Sequence, residues 1–334
     1  MEVLIYLGIL NIFLRQGASA ACTLPEQFQN SVWIDSDKEE LTFSTTNMTG
    51  WDFQTLGVST VYEEWECFHT SNEGSKLYLI MIQTQNITIL QETYTAYLCM
   101  ELTEITSQSY YYYLLWAEEE KYREERISTT LASMSVSDPV QQLCFTTSNA
   151  AQAAAYPETG EYHILVKQGS EVAAKQECPS TFFGEYFYTV TNKDTNTDYC
   201  GTGSEVWDVC TDYEKMSFNY TICSTQISYS ENGSVFCVFS LTSGSYTYHT
   251  VYNEDNTVNP SGGTHRFTCM VSSIATNGSL TVSQTPGSCK KGQTPIDQPL
   301  QAYQNTPDGL NMQLTPRSKS NSMSIKIVLG LKMF

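Results

Sequence analysis

The sequence is poor in the residues and motifs that catalysis and metal binding use. It has four histidines among 334 residues and contains no His-Glu-x-x-His, Gly-x-Ser-x-Gly or Gly-x-x-x-x-Gly-Lys motif. No Cys-x-x-Cys pair is present, so the cysteines lack a common spacing of zinc sites. We therefore predict no catalytic residues, no cofactor and no metal site, and we expect that the protein is not an enzyme.

Basic residues are scarce too. The chain has 17 Lys and Arg against 36 Asp and Glu, which gives a formal net charge of -19. Nucleic acids and anionic membranes are bound by clustered Lys and Arg, so neither is expected as a partner. The residues after Cys289 are the exception, with six basic and two acidic side chains. The acidic remainder is expected to be solvated surface, and attraction of cations or basic ligands is the alternative.

The sequence also lacks an apolar run long enough to span a bilayer as a helix, which takes about 20 residues. Residues 3–14 form an apolar stretch of 12 residues, which suits the core of a signal peptide, and residues 18–20 supply small side chains for cleavage. We predict a signal peptide at 1–20 and a secreted, extracellular protein. Residues 325–334 are too short and too charged for a membrane span, so surface tethering is expected only if the C-terminus is incomplete.

Cysteine, in contrast, is abundant, with 11 residues. Eight of them form two sets with matching surroundings: Cys22, Cys67, Cys99 and Cys144, and Cys178, Cys237, Cys269 and Cys289. Cys67 precedes Cys99 by 32 residues, and Cys237 precedes Cys269 by the same 32. This match indicates a tandem repeat. So many cysteines also indicate disulfide bonds, which persist in the oxidising environment outside the cell.

The pairing of these cysteines stays open, because four cysteines allow three connectivities. We favour Cys67–Cys99 nested inside Cys22–Cys144, with Cys237–Cys269 inside Cys178–Cys289, since Cys67 and Cys99 are expected on neighbouring strands. Three further cysteines lie in an insertion peculiar to the second repeat, namely Cys200, Cys210 and Cys223. At least one thiol is therefore free, joined to a second chain as a disulfide-linked dimer, or paired outside the repeat pattern.

Five Asn-x-Ser/Thr sequons follow the predicted signal peptide, and none has proline at its middle position. In an exported chain such sequons predict N-linked glycans on exposed loops. The predicted sites are Asn47, Asn86, Asn219, Asn232 and Asn277.

The hydrophobic pattern predicts a mainly β fold. Residues 77–82 are a short apolar run that suits a strand buried on both faces, and residues 246–251 hold the same place in the second repeat. The four tyrosines 110–113 would, as a strand, show two rings to each face, with one pair in the core and the other covering an edge or lining a binding surface. One short helix is predicted at 114–126, where good helix formers carry a Glu119–Arg123 pair.

These elements predict two tandem, disulfide-framed antiparallel β domains, barrel-like or sandwich-like. The expected boundaries are 21–147 for the first repeat, 148–160 for a linker, 161–289 for the second repeat and 290–334 for a flexible, disordered tail, whose composition cannot bury much apolar surface. Asp35-Ser36-Asp37 and residues 194–198 are candidate sites for weak binding of a cation, and acidic turns are the commoner explanation.

Spaced cysteines and aromatic residues give the chain a resemblance to a known group of proteins. The residues are Cys22-Thr-Leu-Pro25, Phe28, Trp33, Thr49-Gly50-Trp51, Trp65-Glu66-Cys67 and Tyr97-Leu98-Cys99. This pattern resembles an uncharacterised family of exported, cysteine-rich invertebrate proteins of molluscan type, with tandem domains of unknown function. The resemblance implies an extracellular location, and it implies no catalytic residues.

The expected function is that of an exported glycoprotein acting as a non-catalytic, extracellular binding or recognition module. The expected partner is a protein or a glycan at the cell surface or in the matrix. The alternative is a lipocalin-like carrier of a small apolar ligand in a β-barrel cavity. Trp33 near the start of the first repeat suits that analogy, although the Gly-x-Trp signature is absent. A filled barrel interior would favour the binding module, and an apolar cavity the carrier.

Overall fold

The computed structural model describes residues 22–57, 59–89, 91–123, 125–145, 156–192, 197–198, 206–218, 230, 233–259, 264–297 and 309–317. In these ranges the chain is mostly β-structure and forms two closed antiparallel barrels of eight strands each. The predicted mainly β fold with two antiparallel domains is therefore confirmed, and both domains are barrels. No helix in the described part of the chain is long and apolar enough to cross a membrane.

Barrel one contains the strands of the first half of the chain. They are β1 (Ser31–Asp35), β2 (Glu39–Phe43), β3 (Asn47–Gln54), β4 (Val61–Glu73), β5 (Lys76–Gln83), β6 (Ile87–Ile89), β7 (Glu92–Thr106), β8 (Ser109–Leu114), β9 (Ser128–Leu131) and β10 (His163–Lys167). The short strands β6 and β9 pair only with β7. The other eight pair in chain order, and β10 closes the barrel on β1.

Barrel two has the same plan. Its strands are β11 (Glu185–Asn192), β12 (Thr197–Asp198), β13 (Val206–Asp208), β14 (Lys215–Phe218), β15 (Ser234–Ser243), β16 (Tyr246–Tyr252), β17 (Phe267–Ile274), β18 (Leu280–Pro286) and β19 (Leu310–Pro316). The two-residue β12 pairs only with β11, and β19 closes the barrel on β11. A β-bulge follows the equivalent cysteine in both barrels, Cys67 in β4 and Cys237 in β15. Strand order and bulge position thus repeat, as the matched cysteine spacing predicts.

Alternating side chains fill barrel one. Leu77, Leu79 and Met81 of β5 point into the barrel core, whereas Tyr78 and Ile80 point outward and pack against the helix described below. The predicted strand buried on both faces is therefore confirmed. Large aromatic residues fill the rest of the interior and are fully buried, among them Trp33, Trp51, Trp65, Phe28 and Phe43.

The predicted helix at 114–126 is wrong, because the short helix lies elsewhere. Leu114 ends β8, and the helical structure among the described residues that follow is a 3₁₀ turn at Glu120–Tyr122. The fully buried Tyr122 packs edge-on against Phe53 of the core, a tertiary contact that outweighs local helix propensity. The helix is α1 (Pro139–Leu143), which begins where the Asp138 carboxylate accepts from the Gln141 amide at 3.2 Å.

Four disulfide bonds join the two sets of cysteines: Cys22–Cys67, Cys99–Cys144, Cys178–Cys237 and Cys269–Cys289. All eight predicted residues are bridged, but the nested pairing favoured above is wrong. β5 lies between β4 and β7, so Cys67 and Cys99 are not on neighbouring strands. They also face opposite sides of the sheet, since Cys67 packs in the barrel core and Cys99 in the outer cluster. Cys237 and Cys269 differ in the same way.

The domain boundaries also need correction. β10 belongs to barrel one, although the linker at 148–160 was expected to precede the second repeat. Likewise β19 closes barrel two, although residues 290–334 were expected to be a flexible tail. The reason is common to both: the last cysteine of each set precedes the eighth strand, so a boundary drawn at the cysteines omits one strand. Residues 298–308 and 318–334 lie outside the described part of the chain.

The two barrels pack against each other through aromatic side chains. Of the four consecutive tyrosines, Tyr110 and Tyr112 point into the core of barrel one, and Tyr111 and Tyr113 point outward, as predicted for a strand. The Tyr111 ring stacks on Phe239 of barrel two at 4.3 Å between centroids. The outward pair therefore lies in the contact between the barrels, within a buried cluster to which both contribute.

Candidate functional site

Two polar regions of barrel one bring together residues that are far apart in the sequence. The first is the junction with barrel two, which begins at the acidic turn Asp35-Ser36-Asp37. The Asp35 Oδ1 atom accepts from the backbone amides of Asp37 and Lys38, each at 2.8 Å, and Oδ2 accepts from the Tyr112 hydroxyl at 2.7 Å. Its carboxylate oxygens are thus engaged by the turn and by Tyr112, which supports the acidic-turn interpretation over a cation site.

The Asp37 carboxylate holds barrel two in place. Oδ1 accepts from the backbone amide of Ser288 at 2.9 Å, and Oδ2 accepts from the Ser288 hydroxyl. Lys290 Nζ lies 3.4 Å from Oδ1, and His163 Nδ1 lies 2.8 Å from Oδ2. Burial alone raises the pKa of a carboxyl group, but the Lys290 charge and the His163 ring outweigh it and hold the pKa of Asp37 well below its usual value.

Two further carboxylates of barrel one bind the segment of barrel two that contains Ser288 and Lys290. We name residues 287–293 the junction loop; the Cys269–Cys289 bond ties it to β17. Lys291 Nζ lies 3.0 Å from Glu118 Oε2, and the Gly292 amide donates to Glu158 Oε2 at 3.0 Å. The first basic residues of the C-terminal segment therefore neutralise acidic groups of barrel one.

The junction contains Ser, His and Asp side chains, but not in the order that nucleophilic catalysis requires. The Ser288 hydroxyl donates to Asp37, and Asp37 separates it from His163. An activated serine needs a base as its direct hydrogen-bond partner, with the carboxylate on the far side of that base. The arrangement is suited to holding two barrels together. In the described part of the chain, no group of three or more His, Cys, Asp or Glu residues is placed to hold a metal ion.

The second region is a cleft of about 350 Å³ at one end of barrel one, where the β4–β5 and β7–β8 hairpins turn. The segment before β1, which Cys22–Cys67 fixes to β4, forms its other wall through Thr23, Pro25 and Gln27. Leu77 and Leu102 form a buried floor. Sequence reasoning did not find this cleft, because only barrel closure brings its residues together.

Polar side chains from three strands line the cleft. Thr70 and Asn72 come from β4, Glu104 from β7 and Tyr110 from β8. The Tyr110 hydroxyl donates to Glu104 Oε2 at 3.4 Å. Burial, and then the Glu104 charge, raise the pKa of Tyr110 to about 12, so the phenol stays protonated at physiological pH and keeps its donor.

Three predicted glycosylation sites lie within the described residues. Asn47, Asn86 and Asn277 are all exposed, at the start of β3, just before β6 and in the β17–β18 turn. An exposed asparagine is what attachment of a glycan requires. Asn219 and Asn232 lie outside the described residues.

The insertion of the second repeat contains the odd cysteine. Cys210, between β13 and β14, is unpaired and partly exposed. Its amide donates to Asp208 Oδ1 at 2.7 Å, which fixes the backbone of the turn. Cys200 and Cys223 lie outside the described residues.

Peptide mapping without reduction tests the bridges. After alkylation of the folded protein with iodoacetamide, we expect the linked pairs Cys22–Cys67, Cys99–Cys144, Cys178–Cys237 and Cys269–Cys289, with the alkyl group on Cys210. The pairs should be intact in nearly every molecule, because each bond contains at least one cysteine that is at most 3% exposed, which limits access of an attacking thiolate. A peptide linking Cys67 to Cys99, or Cys22 to Cys144, would contradict the strand register. Cys210 linked to a second chain would identify a disulfide-linked dimer instead of a free thiol.

Fold and geometry define a class: a tandem of disulfide-framed, eight-stranded antiparallel barrels with a polar cleft on the first. Residues 175–305 match a sequence family described as Domain of unknown function (DUF7042). The match runs from just before Cys178 to just before β19 and so covers most of barrel two. Searches of curated proteins and of solved structures found no match.

Proposed function

We propose that this protein is an exported N-glycoprotein that acts as a non-catalytic binding module outside the cell, with a protein or a glycan at the cell surface or in the matrix as partner. Four disulfide bonds and three exposed sequon asparagines support export. The resemblance to exported invertebrate proteins of unknown function points the same way. The sequence family matched by barrel two is itself without assigned function, so the proposal rests on the chain's own geometry.

The observation that carries the proposal is the packing of the barrels. Side chains that are at most 8% exposed fill both interiors, with three tryptophans in barrel one and Trp207, Met216 and Met270 in barrel two. An eight-stranded barrel is just wide enough for its side chains to fill it, whereas a carrier leaves room for its ligand. Binding through outer surfaces and barrel ends is therefore favoured over the lipocalin-like carrier.

Expression of the full chain in animal cells tests the proposal. We expect secretion into the medium, a mass decrease on enzymatic glycan removal, and conversion of Asn47, Asn86 and Asn277 to aspartate during that removal as the mark of occupied sites. The labelled, secreted protein should bind saturably to cells or to deposited matrix. Retention inside the cell with reduced cysteines would overturn export.

The carrier alternative has its own readout. Native mass spectrometry of the secreted protein, after glycan removal, should show the mass of the polypeptide alone. A stoichiometric apolar molecule that co-purifies and is displaced by organic solvent would overturn the binding-module proposal in favour of a carrier.

A further inference from the structure

The cleft of barrel one has a mostly polar lining, whereas a lipocalin-like carrier would hold a small apolar ligand. Its volume of about 350 Å³ falls at the low end of the range for small-molecule sites, about 300–1,000 Å³. All its lining residues belong to barrel one, so the packing of barrel two leaves it unoccupied by the rest of the described chain. It is an open cleft, and its floor lies beneath a rim of polar side chains.

The lining chemistry favours a ligand with many hydroxyl groups. Thr23 and Thr70 present hydroxyl groups, Gln27 and Asn72 present amides, and Glu104 presents a carboxylate. Hydroxyl and amide groups both donate and accept hydrogen bonds, and the two carboxylate oxygens only accept them. Such a set matches a ligand whose own groups both donate and accept, at several closely spaced positions.

Other ligand classes fit less well. The part of the lining that the structure describes includes no Lys or Arg, and Glu104 adds negative charge to a chain of net charge -19, which disfavours an anion. An apolar ligand would need exposed apolar surface, whereas Leu77 is 8% and Leu102 1% exposed. A peptide added as a strand would need a free edge, but β4, β5, β7 and β8 are each paired on both sides.

We infer that the cleft between the β4–β5 and β7–β8 hairpins of barrel one binds a neutral, hydroxyl-rich ligand, the terminal unit of a saccharide chain. Glu104 and Asn72 bind the ring hydroxyls, and the protonated Tyr110 hydroxyl positions the Glu104 carboxylate. This inference rests on the proposed function, because it names the glycan as the partner. Because the cleft is open to solvent, it leaves room for the rest of a chain that continues away from the bound terminal unit.

The test uses the full-length secreted protein and a surface array of defined oligosaccharides. The neutral probes end in glucose, galactose, mannose or N-acetylglucosamine, and the anionic probes are sialylated or sulfated. Multivalent presentation raises the signal of a weak single-site contact. We expect binding to a subset of the neutral probes and none to the anionic ones. Preferential binding to the anionic probes would overturn the inference.

Matched variants locate the binding. Glu104→Gln and Asn72→Ala should each lower the binding of neutral probes by about tenfold or more, since each leaves hydrogen-bonding groups of the ligand unpaired. Glu92→Gln is the control: it makes the same charge change in an exposed residue at the other end of β7. Equal binding by all three variants, with normal secretion, would overturn the inference.

A parallel assay separates this inference from the proposed function. The same variants are tested for binding to cells and matrix. If the wild-type protein binds cells and the cleft variants bind equally well, the saccharide site is refuted and the binding module stands. If cell binding is lost after protease treatment of the cells but not after glycan removal, the partner is a protein and the inference fails. If the wild-type protein binds neither cells nor matrix, the proposed function fails as well.

Discussion

Replacing Gly287 by alanine is expected to loosen the junction between the barrels and to lower the free energy of unfolding by about 2–5 kcal/mol. Gly287 has a φ of +71°, a left-handed conformation that costs an alanine about 1–2 kcal/mol by itself. An added Cβ would also collide with the Asp37 carboxylate and lie 2.8 Å from the Ser36 carbonyl oxygen. Overpacking of this kind adds about 1–3 kcal/mol.

The collision would displace the group on which the junction depends. Asp37 accepts from Ser288 and lies beside Lys290 and His163, so relief of the clash separates a largely buried carboxylate from these partners. A buried charge that loses its partners is strongly destabilising. We therefore expect the junction loop to become accessible to proteases and the particle to become less compact in small-angle scattering.

Gly292→Ala is the matched control for this prediction. Gly292 lies in the same loop with nearly the same φ, +69°, but an added Cβ would meet no atom within 4 Å. Gly292→Ala should lower the free energy of unfolding by only about 1–2 kcal/mol, the cost of the left-handed conformation for alanine. It should leave the scattering profile unchanged. Urea unfolding measures both variants. Equal losses for the two would show that the approach to Asp37 contributes nothing.

Local patterns in the sequence predict the strands well and their partners poorly. The apolar run in β5 and the alternating tyrosines of β8 are visible in a few residues, because burial and period act locally. Whether Cys67 faces the core depends on the register of β4 against β5, which a bulge shifts just after it. No local signal marks that bulge, so the disulfide pairing was not accessible. The helix α1 did carry a signal, since Asp138-Pro139 is an N-cap followed by proline at the first position.

The two polar regions illustrate what sequence cannot supply. The acidic turn at Asp35 was visible as a turn, and its carboxylate does bind backbone amides of the turn. Its neighbour Asp37 binds Ser288, 251 residues later in the chain, and the cleft draws on β4, β7 and β8 together. Such contacts follow from barrel closure and from the docking of one barrel on the other. They become visible only once the register of every strand is known.

A second large effect is expected on the stability of barrel two at acidic pH. His249 on β16 is fully buried inside barrel two, 4.5 Å from Phe182 between ring centroids, and neither ring nitrogen has a hydrogen-bond partner among the described residues. Burial in the barrel interior lowers the pKa of His249 to about 3. In the unfolded chain the pKa is about 6.5. Between these two values the unfolded state binds a proton that the folded state does not.

Protonation of His249 in the unfolded chain therefore lowers the stability of the folded protein as the pH falls. Stability is highest above pH 6.5 and falls as the pH drops, by about 1.4 kcal/mol per pH unit once the unfolded histidine is protonated. His249 should therefore remove about 2–3 kcal/mol between pH 6.5 and pH 4.5. Asp37 acts in a different window: its depressed pKa means that its contribution is lost only below the usual carboxyl range.

His249→Leu should abolish this part of the acid sensitivity. At pH 7 the variant should also be about 1–3 kcal/mol more stable, because it removes two buried nitrogens without partners. Val251→Ala is the control on the same inward face of β16: it should lower stability at every pH and keep the slope of the wild type. Urea unfolding at several values from pH 7 to pH 4.5 measures how the free energy of unfolding changes with pH. Pulsed hydrogen exchange in β15–β17 assigns the unfolding to barrel two. If His249→Leu keeps the wild-type slope, the histidine is accessible to protons in the folded protein, and the acid sensitivity of barrel two arises from its carboxylates.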